Sequence, residues 1–205
     1  MSAVVGYLDR AQSRIPRPWR TILDWLVTIA VAIGLILIFE AEVAKPFRIP
    51  SSSMEPTLHC AKPGDWCEGS VDDRVIANRL AYVFGSPKRG QLVVFKAPPA
   101  TAKCGGGDSG ATFVKRLIGL PGETVSEHTG TIFIDGQPLH EPYVDPSLRD
   151  VESGSWRVPP GHYFFLGDDR THSCDSRTWG TVPHSSLIGP VIATYWPPNR
   201  LDWFG

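Results

Sequence analysis

Three adjacent serines, Ser51, Ser52 and Ser53, stand between Pro50 and Pro56, and a lysine–arginine pair, Lys115 and Arg116, sits inside the stretch Phe113 to Gly119. Each proline fixes its own φ and pushes the residue before it toward extended geometry, so a hydroxyl between them can be held still. The second stretch alternates as a strand does, with Phe113, Lys115 and Leu117 on one face and Val114, Arg116 and Ile118 on the other. In a sheet with even one covered face, one of the two cations must be buried or lie along an apolar wall. A lysine tolerates this by losing its proton: from an ordinary pKa of about 10.4, burial lowers it by up to roughly 3 to 5 units. A guanidinium cannot be neutralised in that way. Lys115 is therefore the candidate general base and a serine of the first stretch the candidate nucleophile; the plain alternative is a surface Lys-Arg pair on an edge strand.

An apolar run precedes the serines. It extends from Ile22 to Phe39, interrupted by Asp24, and as a helix would reach roughly 27 Å, close to a hydrocarbon thickness of about 30 Å. Arg10, Arg14, Arg17 and Arg20 come before it, whereas Glu40 and Glu42 follow before Lys45 and Arg48. Counting basic residues alone places the amino terminus in the cytoplasm and everything after Ala41 outside. A removable signal peptide is the rival, but Glu42 two residues before Ala44 fits a small-residue cleavage site badly. The expected division is a basic cytoplasmic tail over 1–21, a transmembrane helix over 22–44, and an outer domain over 46–205 with an accessory lobe at about 123–160.

The chain has 205 residues and a net charge of -1, so one good-sized domain plus an anchor fits, and no basic surplus points to nucleic acid. With 19 prolines and 20 glycines between β-branched segments, a β-dominated domain is expected. Predicted strands are 74–78, 91–96, 112–118, 131–134, 163–166 and 190–195, with Asp135-Gly136 as a type I′ hairpin turn. Residues 60–72 and 98–110 read as surface loops, the second containing Cys104-Gly105-Gly106-Gly107. Cys60, Cys67, Cys104 and Cys174 all fall on the predicted outer side, where disulfides persist. Cys60 and Cys67 close a short loop and are natural partners, which leaves Cys104 with Cys174. No C-x2-C pair supports zinc, so no metal is assigned.

Taken together, these residues resemble bacterial type I signal peptidases, membrane-bound serine proteases that cut signal peptides from exported preproteins. The resemblance runs through Ile49-Pro50-Ser51-Ser52-Ser53-Met54-Glu55-Pro56-Thr57-Leu58, Asp73-Arg74-Val75, Asn78-Arg79, Arg89-Gly90-Gln91 and Val93-Val94-Phe95. It continues through Val114-Lys115-Arg116-Leu117-Ile118-Gly119-Leu120-Pro121-Gly122-Glu123, Gly167-Asp168-Asp169-Arg170 and Ser173-Cys174-Asp175-Ser176-Arg177. It implies a mainly β fold: a coiled antiparallel, barrel-like catalytic core with a small accessory lobe, behind one transmembrane helix. It also implies Ser53 as nucleophile, Lys115 as general base, and the Ser53 N–H with the Ser51 hydroxyl as oxyanion donors, each worth roughly 3 to 4 kcal/mol. Ser173 would orient the lysine amine, Asp175 and Arg177 would form a bracing salt bridge, and Asp168 would be structural. Phe47, Ile49, Pro50 and Val114 match positions that line shallow pockets for small substrate side chains. Ser52, Asp169 and Thr171-His172 depart from the usual residues at their positions.

The implied partners are preprotein signal peptides and the lipid bilayer, which Trp203 and Phe204 could touch; no cofactor is called for, and the sequence carries no signal of oligomeric state. The implied location is the cell membrane, single-pass, with the catalytic domain outside the cytoplasm. Three rivals stand beside this reading. One is a conventional triad of Ser53, His172 and Asp168 or Asp175. Another is a non-catalytic envelope-binding β-module with a degenerate protease sequence, and the third an anchored relative of self-cleaving Ser-Lys repressors.

Overall fold

A computed structural model describes residues 17–104 and 111–204. Most of the basic tail and the glycine run 105–107 lie outside the described residues. The chain divides into two units, 1–43 and 44–205.

In the first unit, α1 spans Arg17–Glu42. Long-chain and branched apolar residues fill successive turns, so no polar face develops; Trp25, Leu26, Val31, Leu35 and Leu37 are all exposed. Side chains of this helix are described at 19 and 21–37, and among the described residues no helix is long and apolar enough to cross a membrane.

The second unit is mainly β. Its larger sheet has eight strands, β1 (Ala44–Arg48), β2 (Arg74–Asn78), β3 (Leu92–Lys96), β4 (Thr112–Gly119), β9 (His162–Leu166), β10 (Val182–Pro183), β11 (Leu187–Trp196) and β12 (Asp202–Trp203). They run in the order β1-β2-β11-β3-β4-β9-β10, with β12 beside β11, and all pairings are antiparallel. The path is open, with β1 and β10 at its ends. Register breaks in β11 at Leu187/Gly189, Val191/Ala193 and Thr194/Trp196, and in β4 at Leu117/Gly119, bend and twist it. Pro46 sits in the end strand β1, where a missing N–H costs no ladder bond.

The smaller sheet lies within 124–157 and runs β7-β6-β5-β8, formed by β5 (Thr124–His128), β6 (Thr131–Ile134), β7 (Gln137–Pro138) and β8 (Ser153–Arg157). Asp135 (φ 48°) and Gly136 (φ 82°) turn β6 into β7 with the positive φ pair that a type I′ hairpin needs. Two one-turn helices, α2 (Ala81–Phe84) and α3 (Ser176–Trp179), complete the unit.

Three apolar clusters fill the interior. One gathers Ile49, Met54, Leu58, Val75, Val94 and Val191; a second is built on Val93, Phe95, Leu117, Phe165 and Trp179; a third, between the sheets, holds Ile118, Val125, Ile132, Val158 and Phe164.

Candidate active site

β4 carries both cations into the interior. Lys115 pairs with Val93 of β3 and is 4% exposed, with Phe113 and Leu117 of its own face packed in the aromatic cluster. Val114 and Ile118, on the other face, join the first and third clusters. Sequence reasoning requires one buried cation; the structure buries two, and treats them differently. Arg116 receives a carboxylate: its Nε and Nη2 donate to Asp168 Oδ1 and Oδ2 at 2.8 and 2.5 Å, its Nη1 donates to the Gly90 carbonyl at 2.8 Å, and Tyr143 covers its face at 3.8 Å. Among the described residues Lys115 receives a hydroxyl and no carboxylate, its Nζ donating to Ser173 Oγ at 3.1 Å. Burial lowers the Lys115 ammonium from 10.5 to about 8, although Asp175, Asp168 and Asp169 pull it back upward.

Ser53 lies in the 3-10 turn Ser52–Met54, entered through an extended Ser51 (φ -137°, ψ 152°). Met54 and Leu58 anchor this turn in the core, and Leu58 N donates to Met54 O at 2.8 Å. The Asp169 N–H holds the Ser53 carbonyl at 3.3 Å, and Ser51 Oγ lies 3.5 Å from Ser53 Oγ. Ser53 and Lys115 line one cavity of about 420 Å³, together with Ile49, Pro50, Ser51 and Val114. No hydrogen bond joins Ser53 to Lys115 among the described residues, which is common where catalytic contacts tighten only on substrate binding.

The segment after β9 touches both residues, through Asp169 and Ser173. Asp175 accepts from Arg177 Nε (2.9 Å), Arg177 Nη2 (2.9 Å) and the Gly167 N–H (3.2 Å), while Arg177 also pairs with Asp150 and lies 3.6 Å from Glu127. Asp168, besides holding Arg116, accepts from Thr57 Oγ1 at 2.6 Å, and so ties the segment that follows Ser53 to β4. Gly167 allows a close approach, since a Cβ there would overlap the Ser53 carbonyl oxygen and Ser173 Oγ. Gly167→Ala is therefore expected to displace both residues, lowering kcat at least about 100-fold and costing about 1 to 3 kcal/mol of stability, measured by turnover and thermal melting.

Not every sequence-derived site residue is at the cavity. Phe47 packs against the first core cluster and is not among the lining residues. Phe204 packs there too, whereas Trp203 is exposed. The disulfides join Cys60 to Cys67 and Cys104 to Cys174, with Cα separations of 5.0 and 6.1 Å; Cys104 and Cys174 also line the cavity. His172 lies against Asp169 (Nδ1 to Oδ2, 2.9 Å), while Asp168 and Asp175 are taken up by arginines, so the acids required by the conventional triad are otherwise engaged. The ligand atoms of Glu55, His59 and Glu68 lie within 4.8 Å of one another, yet Glu55 already accepts from the Cys60 and Glu68 N–H groups at 3.1 Å and pairs with His59. Sequence reasoning missed Arg116–Asp168, Thr57 and Gly167; only the juxtaposition of distant segments identifies them.

A family described as signal peptidase, peptidase S26, matches residues 22–196. A probable signal peptidase I-1 of Synechocystis sp. is 37% identical over 194 residues, covering 94% of this chain and 92% of that one. A signal peptidase I of Leptolyngbya laminosa is 37% identical over 190 residues (93% and 87%), and one of Mycobacterium tuberculosis 33% identical over 241 (95% and 80%). The crystal structure of a signal peptidase I from Enterococcus faecalis shares 33% identity at a TM-score of 0.42, covering 51% of this chain and 96% of that one. The protein is a serine endopeptidase. It belongs to the signal peptidase family, peptidase S26.

Proposed function

We propose that the protein removes signal peptides from exported preproteins, with Ser53 as nucleophile and Lys115 as general base. The observation that carries this is a serine and a buried amine on the same cavity, the amine lowered to about 8 and held by a hydroxyl, with no ion pair among the described residues. Neutral Lys115 takes the Ser53 proton as Oγ attacks the scissile carbonyl. The resulting ammonium then protonates the leaving amine, and water hydrolyses the acyl-enzyme with Lys115 again as base. Ser173 aims the amine, and the Ser53 N–H with the Ser51 hydroxyl receives the oxyanion. Ile49, Pro50 and Val114 favour small side chains before the cut.

In that role α1 lies in the cell membrane, with its amino terminus in the cytoplasm and the β domain outside. The apolar run 22–39, the arginines before it and the exposed apolar side chains of α1 support this, as do two disulfides suited to an oxidising compartment. The test is incubation of the detergent-solubilised protein with a purified preprotein. Wild type is expected to release the mature chain and Ser53→Ala to release none; equal cleavage by both would reject the nucleophile.

A further inference from the structure

His172 lines the same cavity, and the reaction above does not use it. Its ring is gripped in two directions. Nδ1 donates to the carboxylate of buried Asp169 at 2.9 Å, and that carboxylate also accepts from the His172 N–H at 3.0 Å and the Thr171 hydroxyl at 2.8 Å. One ring face lies on the Trp66 indole, with centroids 4.0 Å apart and planes 19° from parallel. Trp66 sits at φ 61°, an uncommon conformation for a bulky residue, in the loop closed by Cys60 and Cys67. Backbone strain of this kind persists only where the surroundings hold it. Asp169 in turn holds the Ser53 carbonyl through its N–H, so the ring is referenced to the nucleophile.

An ionised carboxylate only accepts, so Nδ1 carries a hydrogen and Nε2 is the free ring position, with no hydrogen bond among the described residues. Among the described residues lining the cavity, Arg48, Lys115 and His172 are basic and none is acidic. A substrate carboxylate would meet no acidic side chain among the described lining residues, and a ring held between it and Asp169 can donate from both nitrogens.

We propose that His172 determines specificity by reading an acidic side chain next to the scissile bond, with Asp169 and Trp66 as its positioning residues; this rests on the function proposed above. The test uses the full-length protein in detergent and one parent peptide carrying Asp, Asn or Lys at each of the two positions on either side of the cut. At one position wild type is expected to prefer Asp to Asn by about fivefold in kcat/KM, with Lys below Asn. The Asp-to-Asn ratio should fall to about one in His172→Asn and part of the way in Trp66→Ala. A wild type with no acidic preference at any position, or a preference that survives in His172→Asn, would overturn the proposal. Cleavage of the Asn peptide by Ser53→Ala would instead sink the nucleophile assignment, a result separate from that ratio.

Discussion

Lys115→Met should yield a protein without measurable turnover that is nevertheless harder to unfold at pH 7 than the wild type. Methionine is also unbranched and fills the same space beside Phe113 and Leu117, but it has no proton to take or give. Loss of the base is expected to cost about 10³-fold or more in kcat. The gain in stability follows from linkage. The folded-state pKa of Lys115, lowered by burial to about 8, lies below its ordinary 10.5, so the unfolded chain binds more protons between those values. Wild-type stability therefore rises with pH across that window, and below it the full penalty of burying an ammonium applies. That penalty corresponds to about 3 kcal/mol, from which the lost bond to Ser173 subtracts about 1. Relative to wild type, the methionine variant should gain most below pH 8 and nothing above about 10.5. The same pKa predicts that wild-type kcat/KM climbs about tenfold per pH unit below 8 and levels above it. Denaturant melts of both proteins at pH 7 and 10.5, with a pH–rate profile, check all of this. A variant no more stable than wild type at pH 7 would mean that the ammonium is not buried as the geometry has it.

Lys115 was legible in the sequence because successive side chains of a strand face opposite ways and lysine is the one cation of its pair that burial can neutralise. The hairpin at Asp135-Gly136 and the strands rich in Val, Ile and Phe were legible for equally local reasons. β1, β5 and β8 were not. Their sequences, Ala44–Arg48, Thr124–His128 and Ser153–Arg157, contain proline, glycine and charges, and they become strands because a neighbour offers ladder bonds. The resemblance to type I signal peptidases named Ser173 and the Asp175–Arg177 pair, whereas the spacing of either alone gives no reason to place Ser173 on Lys115 or the pair near it. Glu127 shows the limit most clearly. As a charged residue it reads as solvated, yet it shares the Val125 face of β5 and is fully buried beside Arg177, and burial raises its carboxyl to about 7. Arg48, which lines the cavity, reads in the sequence only as a charge following the apolar run.

Asp168→Ala is expected to be the most destabilising single change at the site, by about 3 to 5 kcal/mol. Arg116 is the reason. Its side chain is 10% exposed and its guanidinium cannot shed a proton, so removing Asp168 leaves a charge in the interior that neither water nor titration relieves. Thr57 Oγ1 would lose its acceptor in the same step. That second loss links stability to chemistry, because Arg116 belongs to β4 with Lys115, while Thr57 follows the turn that presents Ser53. The Asp168 carboxylate is the joint between the two, so kcat should fall well beyond what the unfolded fraction accounts for, with KM changing less. The double variant Arg116→Met/Asp168→Leu separates the effects: apolar partners of similar size should recover most of the folding free energy, since a buried pair contributes little net stability over such a replacement. Turnover should stay low in that variant, because Thr57 still lacks its acceptor. Denaturant midpoints and steady-state kinetics on the single and double variants measure both quantities. Full recovery of kcat together with stability would show that Asp168 acts only by neutralising Arg116, and not by setting the distance between serine and lysine.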